Sequence, residues 1–200
     1  MIRTVGRPAR YSTDQILDAA RTLILEGGAR AATVDGVVTQ SGAPKGSIYH
    51  RFATLNDLLA AMWLRAVRRS QAAFLEALDH PDPREGAVRA GLAIHDFATA
   101  NLPDARLLAS MRRQDLLDSV SDAEIAAGLR EANEQVAVAL ADLARSLYGR
   151  KSRATVERTL FAVVDLPLGA IRRHLVDGTP IPRGLRAHLE AAIRAALGPD

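Results

Sequence analysis

The sequence predicts an all-α chain: three short helices in an N-terminal module, a long fourth helix, and a larger helical body, about nine helices in all. Three observations predict it. Alanine, leucine and arginine dominate the 200 residues while β-branched runs are scarce, a balance that favours helix over sheet. Apolar residues recur at three- and four-residue spacing along most of the chain. Capping residues, glycines and prolines interrupt that pattern where helices would start and stop.

The first helix begins at Ser12. Ser12-x-x-Gln15 is a capping box, with Asp14 favourable at the positive end of the helix dipole. Ile16, Ala19, Ala20, Leu23 and Ile24 form one apolar stripe, and Gly27-Gly28 ends it. Thr33 can cap a second helix whose inward face is Val34, Val37 and Val38. Ser41-Gly42-Ala43-Pro44 then turns the chain: Gly42 can take the left-handed conformation, and Pro44 pushes Ala43 out of the helical region while suiting a first helical turn. The third helix runs from about Pro44 to Arg51, with Ile48 and Phe52 facing inward. Two short helices about a three-to-four-residue turn make a helix-turn-helix pattern.

That third helix carries the residue types DNA binding asks for. Lys45 supplies a cation at the helix start, Gly46 has no side chain to hold the backbone away, and Ser47 and Tyr49 are hydroxyl donors of different reach. His50 can meet a base edge or a phosphate. A short polar surface helix with Tyr49 packed on its neighbours would read the same way in isolation. Charge favours the first reading. Residues 1–52 hold seven Lys/Arg against four Asp/Glu, and residues 53–200 hold nineteen of each, so the whole net charge of +3 lies in the first quarter. A basic excess on a small module is the electrostatic footprint of a polyanion partner. Arg3, Arg7 and Arg10, beside Gly6 and Pro8, make either a frayed terminus or a basic arm that touches DNA.

Thr54 with Asp57 opens the fourth helix, which continues to about Leu78 and stops at His80-Pro81-Asp82-Pro83. Beyond it the pattern predicts helices over 84–101 and 104–118, and a long one from a Ser121/Glu124 cap to Tyr148-Gly149. Another follows from Ser152 to Asp177-Gly178, and a last one over 183–197. Pro167 cannot donate to the Val163 carbonyl, so a kink or break is expected there. The division falls near the start of the fourth helix, with residues 1–55 as a DNA-binding module with its basic arm and 56–200 as the body.

Composition excludes other classes. The absence of cysteine removes disulfides, thiolate metal sites and a cysteine nucleophile. No nucleophile elbow, phosphate loop, metal-binding helix or acid–base pair stands out, so no enzyme activity, metal or cofactor is expected. No apolar run reaches the roughly 18 residues a membrane span needs. The N-terminus lacks the apolar segment of a secretory signal. A cytoplasmic protein with no membrane partner is the expectation.

Residues 12–62 resemble the DNA-binding domain of the TetR family of bacterial transcriptional regulators. The likeness runs from the ILDAA segment of the first helix through Thr33, Ser41-Gly42 and Lys45-Gly46-Ser47-Ile48-Tyr49 to Phe52 and Leu58-Leu59. The resemblance implies a ligand-responsive homodimeric repressor on a palindromic operator of double-stranded DNA. Thr33, Lys45, Gly46, Ser47 and Tyr49 would hold the backbone, His50 and Arg51 would help read bases, and Arg7 would serve from the arm. A non-specific or architectural DNA-binding protein, or an activator of the same fold, are the alternatives. Two departures weaken a single reader: Pro44 stands where the family often has a capping serine, and Leu55 where it often has a lysine.

For the body the resemblance implies an effector pocket, for an unidentified small molecule, with Trp63, Phe97, Met111, Phe161 and Asp165 as wall candidates. Asp165 would pair with a structural arginine (Arg112 or Arg113), orient the effector, or stand in solvent. The last two long helices would form a four-helix interface with a second copy, through Leu168, Ile171, Leu175, Leu185, Leu189 and Ile193. Core packing within one chain explains the same apolar stripes.

Overall fold

A computed structural model describes residues 11–198, and every element among them is helical. Helix α1 (Thr13–Gly27) starts with both bonds of the Ser12–Gln15 capping box, 2.8 and 3.1 Å long. Helices α2 (Val34–Ser41) and α3 (Lys45–Tyr49) follow, then α4 (Leu55–Leu78), entered through the Thr54–Asp57 box. The body contains α5 (Pro83–Ala100), α6 (Leu102–Ser110), α7 (Arg113–Leu117), α8 (Ala123–Tyr148), α9 (Arg153–Leu160), a π-helical turn (Phe161–Asp165), α10 (Leu166–Asp177) and α11 (Leu185–Leu197). None of the described helices is long and apolar enough to cross a membrane.

The expected helix over 104–118 is two helices, α6 and α7, separated by extended backbone at Met111 and Arg112. The expected Ser121 cap also shifts: Asp122 caps α8, accepting from the backbone N–H groups of Glu124 and Ile125 at 2.9 and 3.0 Å.

The core crosses the junction between module and body. One apolar cluster joins Ile16, Ala20, Val37, Ile48 and Phe52 to Leu58, Trp63, Leu107, Leu116 and Leu129. Ion pairs reinforce the same junction. Asp104 of α6, almost fully buried, takes the guanidinium groups of Arg21 from α1 and Arg69 from α4, while Arg65 of α4 reaches Asp14 and Asp18 of α1 at 2.6 and 2.5 Å. A second cluster surrounds α5, whose small Ala87, Ala90 and Gly91 let neighbours approach. A Cβ on Gly91 would stand 2.6 Å from Ile193 Cδ1, so glycine there is what allows α11 to lie against α5. Arg186 and Arg194 of α11 fasten that contact to Asp96 and Glu85 of α5.

The regular α-helix is interrupted just ahead of Pro167, by the π turn between α9 and α10. The Leu166 N–H bonds the Phe161 carbonyl, one residue further back than in an α-helix, directly before the proline that has no N–H to donate. The extra residue also resets the buried face. Thr155, Thr159, Val163, Pro167, Ile171 and Leu175 point inward at a strict spacing of four. In a regular helix such a row would drift by about 40° per step; the under-wound turn corrects part of it.

This reset, with the packing of α11, corrects the expected interface. Ile171 and Leu175 lie in a core cluster with Phe97 and Ala105, and Leu189 and Ile193 lie in the cluster around α5, all within one chain. Leu185 is half-buried against the same clusters. Of the six residues, Leu168 alone is exposed, beside an exposed Phe161.

Candidate nucleic-acid interface

The outward face of α3 is built by a turn that leaves little freedom. Gly42 sits in the left-handed region (φ 70°, ψ 0°) and its N–H returns to the Val38 carbonyl at 2.9 Å. A side chain there would be strained, which is why glycine follows α2. Ser41 locks the next step: its hydroxyl donates to the Val37 carbonyl and accepts from the Ala43 N–H at 3.1 Å. Ala43 is fully buried, and Pro44 supplies the carbonyl that receives the first α3 bonds from Ser47 and Ile48.

Ile48 and Phe52 anchor α3 in the core, so the remaining side chains must face out. Lys45, Gly46, Tyr49 and His50 are exposed and Ser47 half-exposed. Beyond its own turn of helix, no atom of the described chain lies within 4 Å of where a Cβ would stand on Gly46. Nothing among the described residues calls for glycine at that position, whereas a backbone pressed against another surface does. Thr33 caps α2, accepting from the Gly36 N–H at 3.0 Å, and keeps its own O–H to donate. Arg7 lies outside the described residues.

Arg51 departs from expectation. Its guanidinium donates to the Ser47 carbonyl at 2.7 Å and to the Tyr11 carbonyl at 3.0 Å, so it ties the end of α3 to the start of α1 and is not free to read a base. Such a clamp spans forty residues and leaves no local signature.

Lys45 Nζ pairs with Asp35 Oδ1 at 2.8 Å, both side chains being largely exposed, and this hydrogen bond raises the lysine pKa above its usual value. A phosphate would compete with Asp35 for the lysine. Replacing Asp35 by Asn is therefore expected to tighten binding to all duplex DNA by a few-fold, in line with the small worth of an exposed pair. Replacing Lys45 by Ala should weaken binding across sequences and make the plot of log affinity against log salt shallower by about one. Titrations at several salt concentrations check both. A slope unchanged in K45A removes Lys45 from the phosphate contacts.

The expected effector wall does not assemble. Trp63 and Met111 belong to the first core cluster, Phe97 to the third, and Phe161 and Asp165 are exposed on the outer side of the π turn. The extra residue in that turn rotates Ala162 and Val163 inward in their place. Asp165 needs no buried partner, and Arg113 donates instead to the Leu129 carbonyl. What the sequence did not reveal is the state of Trp63: its indole N–H is buried with no hydrogen-bond partner among the described residues.

Comparison with known proteins gives a concordant result. Residues 16–62 match the family described as "Bacterial regulatory proteins, tetR family". An uncharacterised HTH-type transcriptional regulator of Mycobacterium tuberculosis is 25% identical over 185 residues, covering 92% of this chain and 89% of the relative. The crystal structure of the TetR-family regulator PfmR from Thermus thermophilus shares the fold (TM-score 0.70, 19% identity, 91% of this chain and 96% of that one). So does the ketosteroid transcriptional regulator KstR2 of M. tuberculosis (TM-score 0.68, 17% identity, 98% and 97%). With a tetR-family helix-turn-helix matched at residues 16–62, an all-helical fold shared with TetR-family regulators, and relatives named as regulators over most of its length, the chain is a DNA-binding transcriptional regulator with a tetR-family DNA-binding module.

Proposed function

We propose that the protein is a homodimeric repressor that releases a palindromic operator when a small molecule binds its body. The outward face of α3 carries this reading: Lys45, Gly46, Ser47, Tyr49 and His50 are presented together by a turn and two apolar anchors that fix their backbone. Two copies would place two such helices in successive major grooves, about 34 Å apart. A single α3 without a capping serine, and with Leu55 at the start of α4, makes few phosphate contacts. Dimerisation supplies the rest.

The exposed apolar side chains of the π turn and α10, Phe161, Leu168 and Val176, support a two-fold contact there. The exposed side of the antiparallel α11 is small, with Ala187, Ala191 and Ala195. Aromatic and aliphatic side chains standing beside a small-residue face suit close helix packing between copies. Response to an effector is supported by Trp63. A buried N–H without a partner is costly, and a ligand acceptor reaching it would recover that cost.

Genomic fragments selected by the protein and footprinted give the direct test. A specific regulator prefers its operator over random duplex by roughly 10³-fold or more; equal affinity for all fragments would instead support a DNA-coating role. Trp63 is the single tryptophan of the chain, so its fluorescence reports effector binding in the same preparation.

A further inference from the structure

Asp57 is fully buried and takes five hydrogen bonds. Two come from its own helix start, the Thr54 N–H at 3.1 Å and hydroxyl at 2.7 Å. The other three come from 64 and 65 residues away: the Ser121 N–H and hydroxyl at 2.8 Å each and the Asp122 N–H at 2.9 Å. A capping box consists of the Thr54 N–H bond and its reciprocal, from the Asp57 N–H to Thr54 Oγ1 at 3.1 Å; the three from Ser121 and Asp122 lie outside it. These three bring the N-terminal end of α8 onto the first turn of α4, so two positive helix ends share one carboxylate. Burial acts to raise the Asp57 pKa, but the hydrogen bonds from Thr54, Asp122 and Ser121 outweigh it and hold the group at about 2. It therefore stays ionised at neutral pH, and its contribution to stability is lost only as pH falls below about 4 toward 2.

The position of this contact is what gives it a role. Only residues 50–54 separate α3 from α4, so the orientation of the first α4 turn sets that of the DNA-reading helix. At its other end α8 packs through Leu140 and Leu143 into the cluster that holds α11. We propose that Asp57 is a positioning residue that latches the DNA-reading module to the N-terminus of α8, and that movement of α8 in the body is passed to α3 through this latch. It rests on the two-fold operator binding proposed above. Breaking the latch leaves α3 intact but frees its angle, so the protein loses discrimination between operator spacings before it loses the ability to touch DNA.

Two variants and two readouts test it. Asp57→Asn places an amide N–H against backbone donors, and Ser121→Ala removes one donor at an exposed loop residue without disturbing either helix. With the wild-type protein, one base pair inserted between the half-sites should lower affinity at least 100-fold; in Asp57→Asn that penalty should shrink about tenfold, and in Ser121→Ala about threefold, with Ser121→Thr restoring it. Hydrogen exchange, which needs no DNA, should rise in Asp57→Asn at residues 54–58 and 121–125 together. If exchange rises at 54–58 alone, Asp57 is only a local cap and the latch is overturned. Coupled exchange with a wild-type protein indifferent to spacing would overturn the link to operator reading and with it two-fold binding, while leaving the contact itself established.

Discussion

Leu189→Asp should leave the chain largely unfolded, not merely monomeric. Leu189 is 2% exposed in the cluster that joins α5, α8, the π turn and α11. Its replacement removes a packed side chain, worth about 2–5 kcal/mol when truncated to Ala, and puts a carboxylate into an apolar cluster. The nearby arginines of α11 are already committed, Arg186 to Asp96 and Arg194 to Glu85 and Glu190. A loss of about 5 kcal/mol or more matches the whole stability of many domains. Circular dichroism should show most helix gone at 25 °C, whereas Leu189→Met should cost about 1 kcal/mol. A Leu189→Asp protein that keeps full helicity and a cooperative melt would place this residue outside the core.

The same residue shows where sequence reading stops. Leu185, Leu189, Ile193 and Leu197 announce a helix with one apolar face, and that helix is present. The pattern cannot say whether the face meets its own chain or another. The deciding fact is the absence of a side chain at Gly91, on a helix a hundred residues earlier, which opens the slot that Ile193 fills. On the preceding element the difficulty is different. The buried row includes Thr155 and Thr159, whose hydroxyls are satisfied by the carbonyls of Arg150, Ser152 and Thr155, so a search for apolar periodicity passes over them. It selects Leu168 instead, which the π turn leaves exposed.

Local signals were legible. The boxes Ser12–Gln15 and Thr54–Asp57, the left-handed Gly42 and the inward Ile48 and Phe52 follow from chemistry within four residues, and each is present as read. The module's outward residues follow by elimination, since a helix with two anchored positions has only one face left. Arg51 and Ser121 were misread for one shared reason. Both are polar residues near helix ends, where a base contact or a cap is the local expectation, and both are instead taken by partners at a distance of forty residues or more.

A double substitution of the outer side, Phe161→Asp with Leu168→Asp, should have the opposite signature to Leu189→Asp. These side chains are 54% and 46% exposed in the single chain, so charging them removes little intrachain packing. Helicity is expected to remain near wild type. Two facing copies, however, would bury four carboxylates in an apolar contact, and association should fail. Light scattering should then give one chain's mass of 21.5 kDa in place of twice that value. Operator affinity should fall by about 10²–10⁴, because the second half-site is no longer delivered by a tethered copy. Lys45 contacts are untouched, so weak binding to any duplex should persist at low salt. A variant that is still a dimer with unchanged operator affinity would move the interface off the π turn and α10, leaving those exposed side chains to another partner. A folded monomer with full operator affinity would separate DNA recognition from dimerisation altogether.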